Sequence, residues 1–125
     1  AKFPEINFNV YQIQNIRSLE GTSIVVNATP IGMKGFMADQ MPLEKTDLDK
    51  LNPETLIYDI VYNPVKTVLI QEPRQTALLQ AAKERGLQTA NGIDMLIYQA
   101  ERAIEIWTGK SPDTKLMKIA ALEAL

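Results

Sequence analysis

Asn91-Gly92-Ile93-Asp94-Met95-Leu96-Ile97-Tyr98-Gln99-Ala100-Glu101-Arg102-Ala103-Ile104-Glu105-Ile106-Trp107-Thr108-Gly109 is the stretch on which the fold turns. It reads as one bounded helix. Asn91 can cap the free amides at its start, and Gly109 can take the left-handed turn that stops it. Ile93, Leu96, Ile97, Ala100, Ile104 and Trp107 recur at three- and four-residue steps, so they share one stripe and are expected to be buried. Gly92, Met95 and Gln99 follow the same spacing on another flank. Two readings of that flank are open. A side-chain-free first turn, a thioether and an amide pointing one way would line a cleft. Alternatively, Gly92 only starts the helix, Met95 fills core and Gln99 is solvated.

Upstream, residues 87–90 make a short strand, and before them Leu56-Ile57-Tyr58-Asp59-Ile60-Val61 is apolar and rich in strand formers. That strand runs into Tyr62-Asn63-Pro64, with Asn63 as cap and Pro64 at the first helical position. The helix it opens is expected to reach about Arg85 and to close at Gly86. Further back, Ser23-Ile24-Val25-Val26 is a β-branched run, the pattern of a parallel strand covered on both faces. It ends at Asn27-Ala28-Thr29-Pro30-Ile31-Gly32-Met33, where proline stops the ladder. Residues 32–52 read as a polar loop with a short helix over 46–50, capped by Thr46. Residues 6–13 alternate apolar and polar, which predicts a further strand, and residues 15–20 a helical turn closed by Gly21. The abrupt start implies that the chain begins partway through a larger fold. Downstream, Ser111-Pro112-Asp113 opens a last helix, with Ser111 as cap and Leu116, Ile119, Ala120 and Leu122 expected to be buried.

Strand, crossover, strand, helix, strand, helix is the rhythm of a doubly wound sheet. The expected class is therefore α/β: a partial Rossmann-like, doubly wound parallel sheet of about four strands with C-terminal helices. Ligands of such sheets collect at the carboxyl ends of the strands. Residues 27–33, 59–64 and 91–99 are the three junctions at such ends, and the unusual residues all fall in them. Asp59 is either a buried acid satisfied by local amides or part of a site.

Composition narrows the chemistry. At 125 residues the chain is one domain in size, and at that length roughly two-thirds of the unfolded surface is buried. The formal charge of −2, with basic residues scattered among acids, gives no field for nucleic acid or an anionic membrane. Cysteine and histidine are absent, which removes thiolate and imidazole from any catalytic or metal-binding role and leaves Lys, Tyr, Asp and Glu for proton transfer. No residue is nominated as a metal ligand. The apolar runs fall short of the ~20 residues that span a bilayer, so the expected location is cytoplasmic. One repeat stands out. Pro64-Val65-Lys66-Thr67-Val68-Leu69-Ile70-Gln71 is echoed nine residues later by Pro73-Arg74-Gln75-Thr76-Ala77-Leu78-Leu79-Gln80. Pro73 would break a helix at ~3 kcal/mol or more, so a bend or two helical pieces are expected around residues 71–73. The repeat reads as a duplication or an engineered insertion.

Taken together, the junctions resemble the carboxyl-terminal half of shikimate dehydrogenases. The matching pieces are Asn27-Ala28-Thr29-Pro30-Ile31-Gly32-Met33, then Tyr58-Asp59-Ile60-Val61-Tyr62-Asn63-Pro64 with a downstream Thr-x-Leu-Leu, then Asn91-Gly92-Ile93-Asp94-Met95-Leu96 with Gln99, and last Trp107-Thr108-Gly109. Singly each is unspecific; in this order they are specific, and they run from about Gly21 to Gly109. The doubled Pro-x-x-Thr unit departs from the family's single one.

The resemblance implies an NADP-dependent enzyme acting on shikimate. Residues 1–109 would be the C-terminal part of its NADP-binding domain and residues 110–125 a C-terminal helix. It implies that Asn27, Ala28, Thr29, Ile60, Gly92 and Met95 lie at the cofactor and that Tyr62 and Gln99 bind the substrate. A polyhydroxylated carboxylate needs amide and phenol partners, and a hydride-transfer ring needs apolar neighbours. The family's glycine-rich phosphate loop, its Asn-Arg-Thr element and its catalytic Lys and Asp have no counterpart here, so no catalytic residue is assigned and the chain alone is expected to be inactive. An alternative from another class is a non-catalytic α/β module that pairs through an exposed sheet edge as a homodimer.

Overall fold

Ile24, Val25 and Val26 form an extended strand because two branched carbons on each side chain suit a pleated surface better than a helix. In the computed structural model, which describes residues 6, 7, 9–13, 19–62 and 75–124, this strand is β1, Ile24–Asn27. It is followed by α1 (Lys45–Leu48), β2 (Leu56–Asp59), α2 (Ala77–Glu84), β3 (Gln88–Asn91), α3 (Ile93–Thr108) and α4 (Thr114–Ala124). The three strands pair in parallel in the order β1-β2-β3. Their register sets Val25, Ile57 and Thr89 in one row and Asn27, Asp59 and Asn91 in another, at the carboxyl end of all three strands.

The core lies on one face of this sheet. Ile57 is fully buried, and Leu78 and Ala82 of α2 close over it together with Leu48 of α1 and Leu87. Thr76 starts α2 by accepting a hydrogen bond from the Leu79 amide (3.3 Å). Further along the chain, α3 begins and ends where its sequence predicts. The Asn91 side chain accepts from the Ile93 amide (3.1 Å), and Gly109 stops the helix at φ +68° with its N–H on the Glu105 carbonyl. Among the described residues no helix is long and apolar enough to cross a membrane.

Several expectations are corrected. Residues 6, 7 and 9–13 form no strand, and Val10 is almost fully exposed; alternation alone makes no strand where no neighbouring edge pairs with it. The described sheet therefore has three strands rather than about four. Among the described residues β1 is an edge strand and is not covered on both faces, with Ile24 and Val26 half exposed. The short helix is capped two residues early, at Glu44 and not Thr46, because the Asp47 carboxylate accepts from the Glu44 amide (3.2 Å). Asp113, and not Ser111, caps α4, taking the Lys115 and Leu116 amides at 2.9 and 3.1 Å. On α3 only Ile93 and Ile97 are fully buried, while Trp107 is 80 % exposed. No residue of α4 is buried; Leu116, Ile119, Ala120 and Leu122 are exposed because, among the described elements, α4 packs mainly on α3. The Asn63 cap, the start of the helix at Pro64 and the bend at 71–73 lie outside the described residues, as does most of the repeat; its second copy supplies Thr76 and α2.

Candidate functional site

Parallel pairing brings Asn27 and Asp59 side by side as the last residues of β1 and β2, both buried. A carboxylate out of water must find donors, and Asp59 finds three from three segments. Asn27 Nδ2 donates to Oδ1 at 2.9 Å, the Val61 amide donates to the same oxygen at 3.1 Å, and Thr76 Oγ1 donates to Oδ2 at 2.6 Å. Burial raises the carboxyl above its ordinary range, against the opposing pull of the bonds from Thr76, Val61 and Asn27.

Because the Asn27 amide nitrogen is committed to Asp59, its oxygen faces the other way. There it accepts from the Thr29 amide (3.0 Å) and the Thr29 hydroxyl (2.7 Å). Thr29 Oγ1 in turn accepts from the Ile31 amide at 3.3 Å, and Asn27 Nδ2 also reaches the Ile31 carbonyl at 3.3 Å. The turn leaving β1 is thereby bound to the end of β2.

The third junction is joined by packing. Gly92 has an ordinary φ of −77°, so its backbone alone does not call for glycine. Its surroundings do: a β-carbon there would stand 2.0 Å from the Ile60 carbonyl oxygen and 2.6 Å from the Ile60 carbonyl carbon. The start of α3 thus lies directly against the backbone leaving β2.

The sequence-predicted residues fall out as follows. Asn27 and Thr29 belong to the polar network, and Ile60 and Gly92 meet through their backbones. Ala28 is exposed beside them, and Met95 is half-buried on the first turn of α3. Tyr62 is 37 % exposed and immediately follows Val61, whose amide Asp59 holds. Gln99 is exposed on α3, about 10 Å along the axis from Gly92. Among the described residues no hydrogen bond joins Tyr62 or Gln99 to the network. Sequence reasoning missed Thr76 as a member; the signal was there in Thr76-Ala77-Leu78-Leu79, a helix cap before an apolar run. Hollows of about 460 and 480 Å³ lie beside α1, around Leu43, Asp47 and Lys50 and around Gln40, Lys45 and Gln80, away from the strand ends.

β1, β2 and β3 are neighbours in chain order, so among the described residues every crossover steps the same way, and Asn27, Ala28 and Thr29 lie where β1 leaves the sheet.

Comparison with known proteins bears on this arrangement. Residues 92–122 match the family described as Shikimate 5'-dehydrogenase C-terminal domain. Over 116 residues the chain is 42 % identical to the shikimate dehydrogenase (NADP(+)) of Archaeoglobus fulgidus, covering 92 % of this chain and 38 % of that protein. A crystal structure of a shikimate dehydrogenase in complex with NADP+ superposes with a TM-score of 0.69 at 36 % identity, covering 86 % of this chain and 33 % of that one. The Listeria monocytogenes shikimate 5-dehydrogenase, solved in complex with shikimate and NAD, gives 0.64 at 37 % identity, covering 79 % and 30 %. The chain spans about two-fifths of the length of the curated relatives it matches.

Proposed function

We propose that this chain, similar over nearly its whole length to the carboxyl-terminal part of shikimate dehydrogenases, supplies one wall of an NADP and shikimate site and acts only when joined to the rest of such an enzyme. The observation that carries this reading is the convergence of the three junctions, tied by Asp59 and by the Gly92 contact, at the carboxyl ends of one parallel sheet. Residues 1–109 would belong to the NADP-binding domain and residues 110–125 form its closing helix.

The residues present fit such a cofactor. Ala28 is small and exposed, and Ile60 and Met95 present apolar, half-buried surface near the strand ends, the neighbours a nicotinamide ring requires. Asn27 and Thr29 would shape the backbone beneath the cofactor, and Gly92 would let the start of α3 lie close to it. NADPH, when bound, supplies the hydride that reduces 3-dehydroshikimate to shikimate. Tyr62 and Gln99, exposed and with no side-chain hydrogen bond among the described residues, have a phenol and an amide available to orient the ring hydroxyls and carboxylate. The proton belongs to a lysine and an aspartate outside this chain. The test is fusion of the chain behind the amino-terminal part of the A. fulgidus enzyme: a folded fusion that oxidises shikimate with NADP+ supports the reading, and a folded fusion without turnover overturns it.

One observation favours a second reading. β1 presents an outer edge unpaired among the described residues, with Ile24 and Val26 half exposed. Two copies of the chain would pair there as a homodimer without catalysis. A light-scattering mass of one chain at high concentration rules this out.

A further inference from the structure

The carboxylate of Asp59 touches all three segments leaving the first two strands and entering α2: Asn27 at the end of β1, Val61 beyond β2 and Thr76 at the cap of α2. A buried acid is an expensive way to fill space, since well-packed apolar residues of similar volume serve stability as well or better. What a carboxylate adds is direction. By taking Asn27 Nδ2, it fixes which way the Asn27 amide lies, and so aims Asn27 Oδ1 at the Thr29 amide and hydroxyl. By taking the Val61 amide on the same oxygen, it fixes the backbone from which Tyr62 departs. Its other oxygen is held by Thr76, whose hydroxyl also caps α2, so the carboxylate plane cannot turn freely. We propose that Asp59 is the positioning residue of this site, the group through which the segments bearing Thr29 and Tyr62 keep one fixed arrangement.

Asparagine at this position can imitate most of that pattern. Its Oδ1 would accept from Asn27 and Val61, while its Nδ2 would donate to Thr76 Oγ1, which has a lone pair left beside the one used by Leu79. Alanine can imitate none of it. The two variants therefore separate direction from mere presence.

The inference rests on the proposed function only in its kinetic arm; its spectroscopic arm needs neither ligand nor turnover. In ¹H–¹⁵N spectra of the 125-residue chain, Asp59→Ala is expected to move and deprotect the amides of Thr29, Ile31 and Tyr62 while those of Ile24 to Val26 stay paired, and Asp59→Asn is expected to restore them. Should Asp59→Ala not fold, Thr76→Val replaces it. That change alters one donor to Asp59 and touches neither Thr29 nor Tyr62, yet it is expected to shift both, with Thr76→Ser as its rescue. In the fused enzyme, Asp59→Ala is expected to raise KM for NADP+ and shikimate about tenfold, the factor for one lost buried partner. A purely structural role would lower the active fraction and leave KM unchanged. Thr29 and Tyr62 amides that stay in place in Thr76→Val, or an unchanged KM beside normal spectra, overturns the inference. A fusion that never turns over while the spectra respond as expected overturns the proposed function and leaves the positioning role standing.

Discussion

Gly92→Ala sets two physical arguments against each other. Propensity and chain entropy favour the change: Gly92 sits at φ −77°, next to the first turn of α3, where alanine costs no backbone strain and a Gly→Ala replacement at a compatible site gains about 0.4–1 kcal/mol. The packing argument runs the other way. The new β-carbon would lie 2.0 Å from the Ile60 oxygen, 2.6 Å from its carbonyl carbon and 3.1 Å from its α-carbon. Ordinary contact begins near 3.4 Å, so the start of α3 and the end of β2 must separate by more than an ångström. The obstacle is backbone, which has no rotamer to yield, and Ile60 is tethered to β1 through its amide on the Asn27 carbonyl (3.0 Å). Overpacking typically costs about 1–3 kcal/mol, and a clash this deep against backbone belongs at or above the upper end. Gly109→Ala is the matched control. Its β-carbon meets nothing within 4 Å and the price is only the left-handed φ of +68°, about 1–2 kcal/mol. Urea unfolding of the three chains, followed by far-UV circular dichroism, gives the comparison. The expected order is wild type, Gly109→Ala, Gly92→Ala, with the last losing about 3 kcal/mol or more. A Gly92→Ala chain as stable as wild type would refute the reasoning, since the contact with Ile60 could not then be what excludes a side chain.

Thr76→Ala removes a cap and a donor to a buried carboxylate and should cost about 2–3 kcal/mol in urea. Asp59 carries its own pH signature. Its folded carboxyl is raised, so its contribution to stability is fully present below the ordinary aspartate range and is lost as pH rises through the folded value; the stability of wild type relative to Asp59→Asn should therefore fall from pH 4 toward neutrality. Trp107 is the chain's only tryptophan and is 80 % exposed, so its emission should shift little on unfolding and Trp107→Ala should change stability by less than about 0.5 kcal/mol. In the fused enzyme, Gln99→Ala should weaken shikimate binding by about 1–3 kcal/mol with the affinity for NADP+ unchanged, measured by isothermal titration.

The strands and helices that local chemistry dictates were legible from the residues alone. Asn91 and Gly109 bracket α3 because an amide cap and a left-handed glycine act within a few residues of themselves, and the runs ending at Asn27 and Asp59 are strands because β-branched, aromatic and other apolar side chains follow one another without a break. What the residues could not disclose depends on partners far along the chain. Residues 6–13 alternate much as a strand does, yet among the described residues no strand pairs with residues 6, 7 and 9–13. Trp107, Leu116 and Ile119 recur at helical spacing as core residues do, but burial also requires a second surface, and among the described elements α4 packs mainly on α3. Within the site, Asn27 and Asp59 stand 32 positions apart and Thr76 another 17 beyond, so their union is a property of register. Gly92 is the sharpest case. Its φ would suit any residue, and only the approach of Ile60 shows why the side chain must be absent.

These contacts make folding and site geometry a single variable at the strand ends. Asn27 is at once the residue that satisfies a buried acid and the residue that shapes the turn at Thr29; Gly92 both starts α3 and sets how near the helix comes to β2. Damage at either position therefore lowers stability and displaces the proposed binding surface together, and a fall in activity by itself cannot be assigned to one or the other. Tyr62 and Gln99 are placed differently. Their side chains are exposed and make no hydrogen bond among the described residues, so removing those side chains leaves the network whole. Substitutions there probe ligand contact, substitutions in the network probe the frame, and only the affinity of the molecules that remain folded tells the two apart.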